Sequence, residues 1–125
     1  MRVGLVRAVG AATALYGLAV TVRPDLLARP SGLAEPDGAV APATRIALRP
    51  VAWRDAASGL AMVVAPEGPA LRAATLVRVA ADFGDAALLG LTLPDRDRRL
   101  AAVAVSLGWG TLSVVGLLGG RRGTP

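Results

Sequence analysis

The chain has 125 residues, of which 54% are hydrophobic and only 18% are charged, against about 25% charged residues in typical soluble proteins. A soluble domain of this length could not hide so much apolar surface, so the composition excludes an ordinary soluble domain and predicts one membrane domain over residues 1–125. The net charge is +5, but the arginines are scattered and flank apolar runs, a pattern that indicates membrane flanks and predicts no nucleic-acid partner.

The first apolar segment covers residues 3–22 and is followed by Arg23-Pro24. This length is sufficient for a helix to cross a bilayer, and the one charged residue within it, Arg7, lies near its start, where a long side chain can reach the interface. A cleaved signal peptide is the alternative, because Met1-Arg2 resembles a short basic leader. The apolar run exceeds a usual signal core and no small-x-small cleavage site follows cleanly, so we predict a membrane span.

Residues 24–43 form the one long predicted loop, because they contain four of the nine prolines of the chain. Proline and small polar residues punctuate the chain and interrupt regular structure. Residues 25–29 are the exception, since they can form a short interfacial turn in which Leu26 and Leu27 touch lipid.

Three further spans are predicted, at residues 44–65, 70–93 and 100–120, with Pro50 inside or kinking the second span. Pro66-Glu67-Gly68-Pro69 is a tight turn, and a link this short makes the helices on either side antiparallel neighbours. Residues 94–99 form a second, polar turn, and Arg121 and Arg122 close the last span at the interface. The sequence therefore predicts an all-α fold, a bundle of four transmembrane helices that run up, down, up and down.

Small residues recur at helical spacing in the first and last spans. They are Gly4, Gly10, Gly17, Gly108, Gly110, Gly116 and Gly120. Glycines at such spacing allow two helix backbones to approach closely. We predict that they pack helices inside the bundle, and the alternative is an apolar face that binds another membrane protein or a second copy of the chain.

Ionised residues lie in the middle of the second and third spans, where a membrane helix would have none. They are Arg49, Arg54, Asp55, Arg78, Asp82 and Asp85. A charged side chain at the centre of a membrane helix costs about 2.5–3.5 kcal/mol on insertion scales, so such residues face a bundle interior and often mark function.

Helical geometry and the tight turn predict how these charges pair. Arg78 and Asp82 are four residues apart on one face, and Asp85 lies a turn further on. Antiparallel pairing of the second and third spans brings Arg54 within reach of Asp82 or Asp85, and Arg78 within reach of Asp55. Three arginines against three aspartates would make a neutral cluster, which a bilayer tolerates far better than an unpaired charge.

Two interpretations of this cluster remain open. An interhelical salt-bridge network that fixes the register of the helices would pair every charge and leave no cavity. A midplane polar site for a small molecule, a lipid headgroup, an ion or a proton would instead show a pocket beside Arg54 and Asp82, with at least one charged group unmatched.

The residue types exclude several kinds of chemistry. The chain has no cysteine and no histidine, which excludes disulfides, thiolate or imidazole metal sites and His-assisted nucleophilic catalysis. No nucleophile–base pair, metal-ligand set or phosphate loop is present. We therefore predict no cofactor, no metal and no catalytic residue, and an enzyme is the least favoured class.

Residues 45–60 and 81–86 resemble a known group of proteins. The arginines, the Arg54-Asp55 pair and Gly59, followed by Asp82 and Asp85, resemble small four-helix membrane proteins of actinobacteria whose function is unknown, and the four-span layout is similar to that of DoxX-like proteins. The resemblance implies the architecture and a bacterial cytoplasmic membrane, and it implies no reaction. The leading functional prediction is a structural or accessory membrane protein, and the alternative is a binder or carrier that uses the charged cluster.

Overall fold

A computed structural model describes residues 1–120, and Arg121 and Arg122 lie outside the described residues. It contains five helices: α1 (Val3–Val22), α2 (Asp25–Ala28), α3 (Pro42–Val64), α4 (Pro69–Thr92) and α5 (Arg96–Leu118). No residue between 1 and 120 lies in a strand, so the prediction of an all-α fold is confirmed. The four long helices lie within a few residues of the predicted spans, and α5 begins earlier, inside the polar turn at residues 94–99.

Proline and aspartate define where the long helices begin. Pro42 and Pro69 occupy the first turns of α3 and α4, where a proline loses no helical hydrogen bond. Gly68 precedes α4 with φ of 105°, a conformation that favours glycine. Asp95 caps α5, since its carboxylate accepts a hydrogen bond of 2.9 Å from the backbone N–H of Arg98. Pro50 lies inside α3, which continues through it.

The four long helices form a ring in the order α1, α3, α4, α5, and each is antiparallel to its neighbours. Packing around the ring is uneven, because α1 packs extensively on α3 and α4 on α5, whereas α3 and α4 approach each other at few places. The molecule is therefore two tight helix pairs, joined by looser α3–α4 and α1–α5 interfaces.

Glycines close the α1–α3 interface. A Cβ on Gly10 would lie 2.6 Å from the Cβ of Met62, and one on Gly59 would lie 2.5 Å from the carbonyl oxygen of Gly10. A Cβ on Gly17 would be equally obstructed by the backbone of α3. Gly10 and Gly17 therefore do what the sequence predicted, and Gly59 is their counterpart on α3.

Not every glycine in the predicted set packs inside the bundle. Gly110 and Gly116 contact α4 and α1, respectively, whereas Gly4, Gly108 and Gly120 have open space where a side chain would lie. The interior role of the glycine pattern is thus specific to four positions in α1 and α5.

The well-packed part of the interior lies at one end of the ring. Val6, Val9, Met62 and Leu71 form its buried apolar cluster, and the indole of Trp109 packs against this cluster. Arg7 lies at the same end and donates to the carbonyls of Met62 and Val63, so it caps the C-terminal end of α3. The sequence predicted that the Arg7 side chain reaches the interface and did not predict these hydrogen bonds to the end of α3.

Two of the long helices, α1 and α5, are long and apolar enough to cross a membrane. The cores of soluble proteins and N-terminal signal sequences contain helices of the same kind. Helices α3 and α4, which carry the mid-helix charges, do not meet the same requirements of hydropathy and charge. The structure therefore supports two candidate spans where the sequence predicted four.

Candidate functional site

Five of the six predicted charged residues lie together between α3 and α4. Arg54 forms a two-pronged ion pair with Asp85: Nη1 donates to Oδ1 over 3.1 Å and Nη2 donates to Oδ2 over 2.7 Å. The same Nη2 also donates to Asp55 over 3.2 Å. The Arg54 side chain remains 41% exposed, so it forms these bonds without being enclosed.

Arg78 is the buried centre of the group, with only 2% of its side chain exposed. Its Nη1 donates to Asp55 over 2.7 Å and to the hydroxyl of Ser58 over 3.0 Å. Its Nη2 donates over 2.5 Å to Asp82, one helical turn later on α4. Asp55 therefore bridges both arginines, and Arg54, Asp55, Arg78, Asp82 and Asp85 form one continuous set that we call the α3–α4 ion-pair network.

Arg49 is separated from this network. It is exposed and borders a small depression with Arg23, Asp25 and Arg45 near the end of α1. Without Arg49, the network consists of two arginines and three aspartates. It therefore has one net negative formal charge, instead of the neutral balance that the sequence predicted.

Two buried atoms within the network lack a hydrogen-bond partner among the described residues. They are Nε of Arg78 and Oδ2 of Asp82. Buried polar atoms nearly always have a partner in native proteins, because an unmet one costs the free energy of its lost hydration. The network is thus paired at every residue and incomplete at these two atoms.

A cavity of about 630 Å³ lies beside the network. All four long helices and the α2 segment line it, and Arg54, Asp55, Arg78, Asp82 and Asp85 all contribute to its wall. Most of the remaining wall is apolar and includes Leu27, Leu33, Leu48, Val51, Leu88, Leu89 and Val105. We call this space the central cavity; most of its wall is apolar, and the network supplies the acidic part of that wall.

Residues 24–41 border the end of the central cavity away from the network, which we call its entrance. Leu27, Pro30, Ser31 and Leu33 line it, so Leu27 turns inward, whereas the sequence predicted that it would touch lipid. The loop is held by Arg98 of α5, whose Nη1 donates over 2.8 Å to the carbonyls of Arg29 and Pro30.

A second arginine fixes α2 itself. Arg45 of α3 donates through Nε and Nη2 to both carboxylate oxygens of Asp25, over 3.0 and 3.1 Å. The loop that the sequence predicted as irregular is thus anchored to both α3 and α5 at the cavity entrance.

Sequence reasoning missed several residues of the central cavity. Tyr16, Thr13 and Ser106 line it together with Trp109, and Trp109 Nε1 donates to Thr13 Oγ1 over 2.7 Å. A single hydroxyl or aromatic residue in an apolar helix carries no pattern that predicts a site. These four residues belong to the cavity only because α1 and α5 face the charged helices α3 and α4.

The acidic side chains were also compared with the requirements of a metal site. In the part of the chain that the structure describes, no three acidic side chains converge in a way that could hold a metal ion.

Comparisons of the chain with protein-family models, with curated proteins and with solved structures found no match. The chemistry of the site must therefore be inferred from its own residues.

Proposed function

We propose that this chain is a four-span integral-membrane protein of a bacterial cytoplasmic membrane that binds an amphipathic small molecule in the central cavity. The polar end of the ligand would meet the α3–α4 ion-pair network, and its apolar part would lie along the leucine and valine walls. The observation that carries the proposal is the cavity itself, because a purely structural network would have filled this space.

The outer surface supports the membrane part of the proposal. Large apolar side chains face outward on α3 and α4 as well as on α1 and α5, among them Ile46, Trp53, Leu60, Val77 and Leu91. Extended exposed apolar surface of this kind indicates contact with lipid or with other proteins. Charged residues lower the hydropathy of α3 and α4, and most of these residues belong to the network between the two helices.

The low burial of the two most apolar helices supports it further. In the most apolar 18-residue stretch of each helix, only 33% of the residues of α1 and 17% of those of α5 are buried inside the molecule. A core helix of a soluble protein would be mostly enclosed, whereas a membrane helix leaves its outer face to lipid.

Filling the cavity tests the proposal. Ala102 of α5 lines the central cavity, and the variant Ala102→Trp places an indole inside it. We expect purified wild-type protein in mild detergent to enhance and blue-shift the fluorescence of the neutral amphipathic dye Nile red, and Ala102→Trp to reduce this saturable signal at least fivefold.

The matched control is Ala104→Trp, two residues along the same helix and exposed outside the cavity. It adds the same indole and should keep the wild-type signal, which separates cavity binding from dye in the micelle. Equal dye signals for the two variants would overturn the proposal.

A structural or accessory role is the second candidate, favoured by the observation that each of the five network residues has an ion-pair partner across or along α3 and α4. In this role the network would hold the two tight helix pairs together at their looser interface. It would be the better conclusion if the dye experiment failed while loss of Arg78 still unfolded the protein.

A further inference from the structure

We propose that the central cavity takes an amphipathic organic cation, such as a protonated amine, a quaternary ammonium or a phosphonium group joined to an apolar body. The inference rests on the proposed function, since it names the chemical class of the ligand for the same cavity. Four features of the cavity carry it: its charge, its engaged arginines, its aromatic residues and its apolar walls.

The charge of the inner end is the first feature. The α3–α4 ion-pair network has one more aspartate than arginines, and Asp82 has one buried carboxylate oxygen without a partner. An uncompensated charge in a low-dielectric interior is costly, so the site is stabilised by a positive group that comes to it.

The engagement of the arginines is the second feature. Arg54 donates to Asp85 and Asp55, and Arg78 donates to Asp55 and Asp82. The terminal nitrogens of both guanidinium groups are thus already bonded to carboxylates, so an anionic ligand that paired with them would have to displace a carboxylate, whereas a cation leaves these bonds intact.

Arg98 is the only other charged residue on the cavity wall in the described part of the chain. It lies in the first turn of α5, about 18 Å along the helix, at about 1.5 Å per residue, from Gly110, which packs against Asp82. Its Nη1 is occupied by the carbonyls of Arg29 and Pro30 at the entrance. It therefore does not neutralise the inner end.

Aromatic side chains are the third feature. Tyr16 and Trp109 both line the cavity, on α1 and α5 respectively, together with the acidic network on α3 and α4. The faces of such rings attract cations within about 6 Å, and binding sites for quaternary ammonium groups combine aromatic rings in this way.

The apolar walls are the fourth feature, because they specify the rest of the molecule. Leu48, Val51, Leu88, Leu89 and Val105 line the chamber between the network and the entrance. A small hydrated ion would gain nothing from these walls, whereas an aryl or alkyl body buries its surface against them.

The experiment uses three probes with the same aryl groups and different charge: tetraphenylphosphonium, triphenylphosphine oxide and tetraphenylborate. The variant Trp53→Phe removes the outward-facing tryptophan and leaves Trp109 as the single reporter of the cavity. Binding to this protein in detergent is followed by Trp109 fluorescence. We expect tetraphenylphosphonium to bind at least tenfold more tightly than either other probe.

A matched pair of variants tests the cause of this preference. In the Trp53→Phe background, Ser106→Lys adds one positive charge to the cavity wall without removing a network residue, and Ser106→Met adds a neutral chain of similar length. We expect Ser106→Lys to weaken phosphonium binding at least tenfold relative to Ser106→Met, and to change binding of the neutral oxide less than threefold. Leu48→Lys and Leu48→Met repeat the comparison from the opposite wall should Ser106→Lys fail to fold.

The outcomes separate the two proposals. If the borate or the oxide binds as tightly as the phosphonium, or if the added lysine has no effect, the cation class is wrong while ligand binding in the cavity stands. If no probe binds and Nile red does not distinguish Ala102→Trp from Ala104→Trp, both proposals fail.

Discussion

At the scale of single residues, Arg78 is a charged side chain that is almost completely buried. It is the largest of the fully buried side chains, and its charge is met by the carboxylates of Asp55 and Asp82. Removing one partner from a buried ion pair leaves the other charge enclosed and unpaired, which costs more than the pair itself contributes.

We expect Arg78→Met to destabilise the folded protein by about 3–5 kcal/mol, the typical effect of breaking a buried ion pair. Thermal unfolding in mild detergent, followed by circular dichroism, measures the loss. Arg72→Met is the matched control on the same helix, because Arg72 is exposed and outside the network. A similar, small effect of both substitutions would show that the ion pairs of Arg78 do not stabilise the α3–α4 interface.

Arg49 is a poor candidate for the site, because it is exposed and borders a different depression near the end of α1. An arginine near the end of a span can extend its charged group to the interface, so nothing forces it to find an interior partner. Arg49 lies seven residues into α3, near Arg45 and Asp25, whereas Arg54 lies beside the middle of that helix.

At the scale of helices, close packing of α1 on α3 depends on the absence of side chains at three glycines, Gly10, Gly17 and Gly59. Alanine is a better helix former than glycine by about 1 kcal/mol. The sign of a glycine-to-alanine change therefore reports whether the added methyl group has room.

We expect Gly59→Ala to destabilise the protein by about 1–3 kcal/mol, because the new Cβ meets backbone atoms of Gly10 and Ala14 and forces the helices apart. Gly84→Ala on α4 should be neutral or stabilising, since nothing lies within 4 Å of its would-be Cβ. Unfolding of the two variants in the same detergent decides the matter, and the same sign for both would contradict the packing described for α1 and α3.

Loop residues 24–41 depend on contacts with the long helices for their conformation. Neither α2 nor the following turns have enough length to be stable alone. They are held by Arg45 on Asp25 and by Arg98 on the carbonyls of Arg29 and Pro30. Two arginines from different helices thus shape the entrance of the central cavity.

At the scale of the whole molecule, the number of membrane crossings distinguishes the proposed four-span protein from a two-span protein with α1 and α5 alone. Because the chain has no cysteine, single cysteines can be placed in its turns. Glu35, Glu67 and Asp97 are exposed and lie before α3, between α3 and α4, and near the start of α5.

We expect a membrane-impermeant maleimide to label Glu67→Cys from one side of the membrane, and Glu35→Cys and Asp97→Cys from the other. Four crossings require this alternation, whereas crossings by α1 and α5 alone put all three positions on one side. Labelling of right-side-out and inverted vesicles measures the sidedness, with a permeant maleimide as the control that each cysteine is reactive. Labelling of all three from one side would reject the four-span topology.

The bounds of the long helices could be read from the sequence because they depend on local chemistry. Proline-rich turns at 66–69 and 94 end the apolar runs, and a proline in a first turn starts the next helix. The i, i+4 spacing of Arg78 and Asp82 and the tight turn before α4 likewise predicted most of the ion pairs, since both fix geometry over short stretches of chain.

What the sequence alone could not determine is the rotation of each helix about its axis and the width of the gap between the two helix pairs. These follow from packing across the whole ring, where Gly10, Gly17 and Gly59 draw α3 toward α1 and leave α3 and α4 to meet mainly through charged side chains. The cavity beside the network lies at the looser interface that this imbalance leaves. Only the tertiary structure decides whether a cluster of charges is packed shut or borders a space that a ligand can occupy.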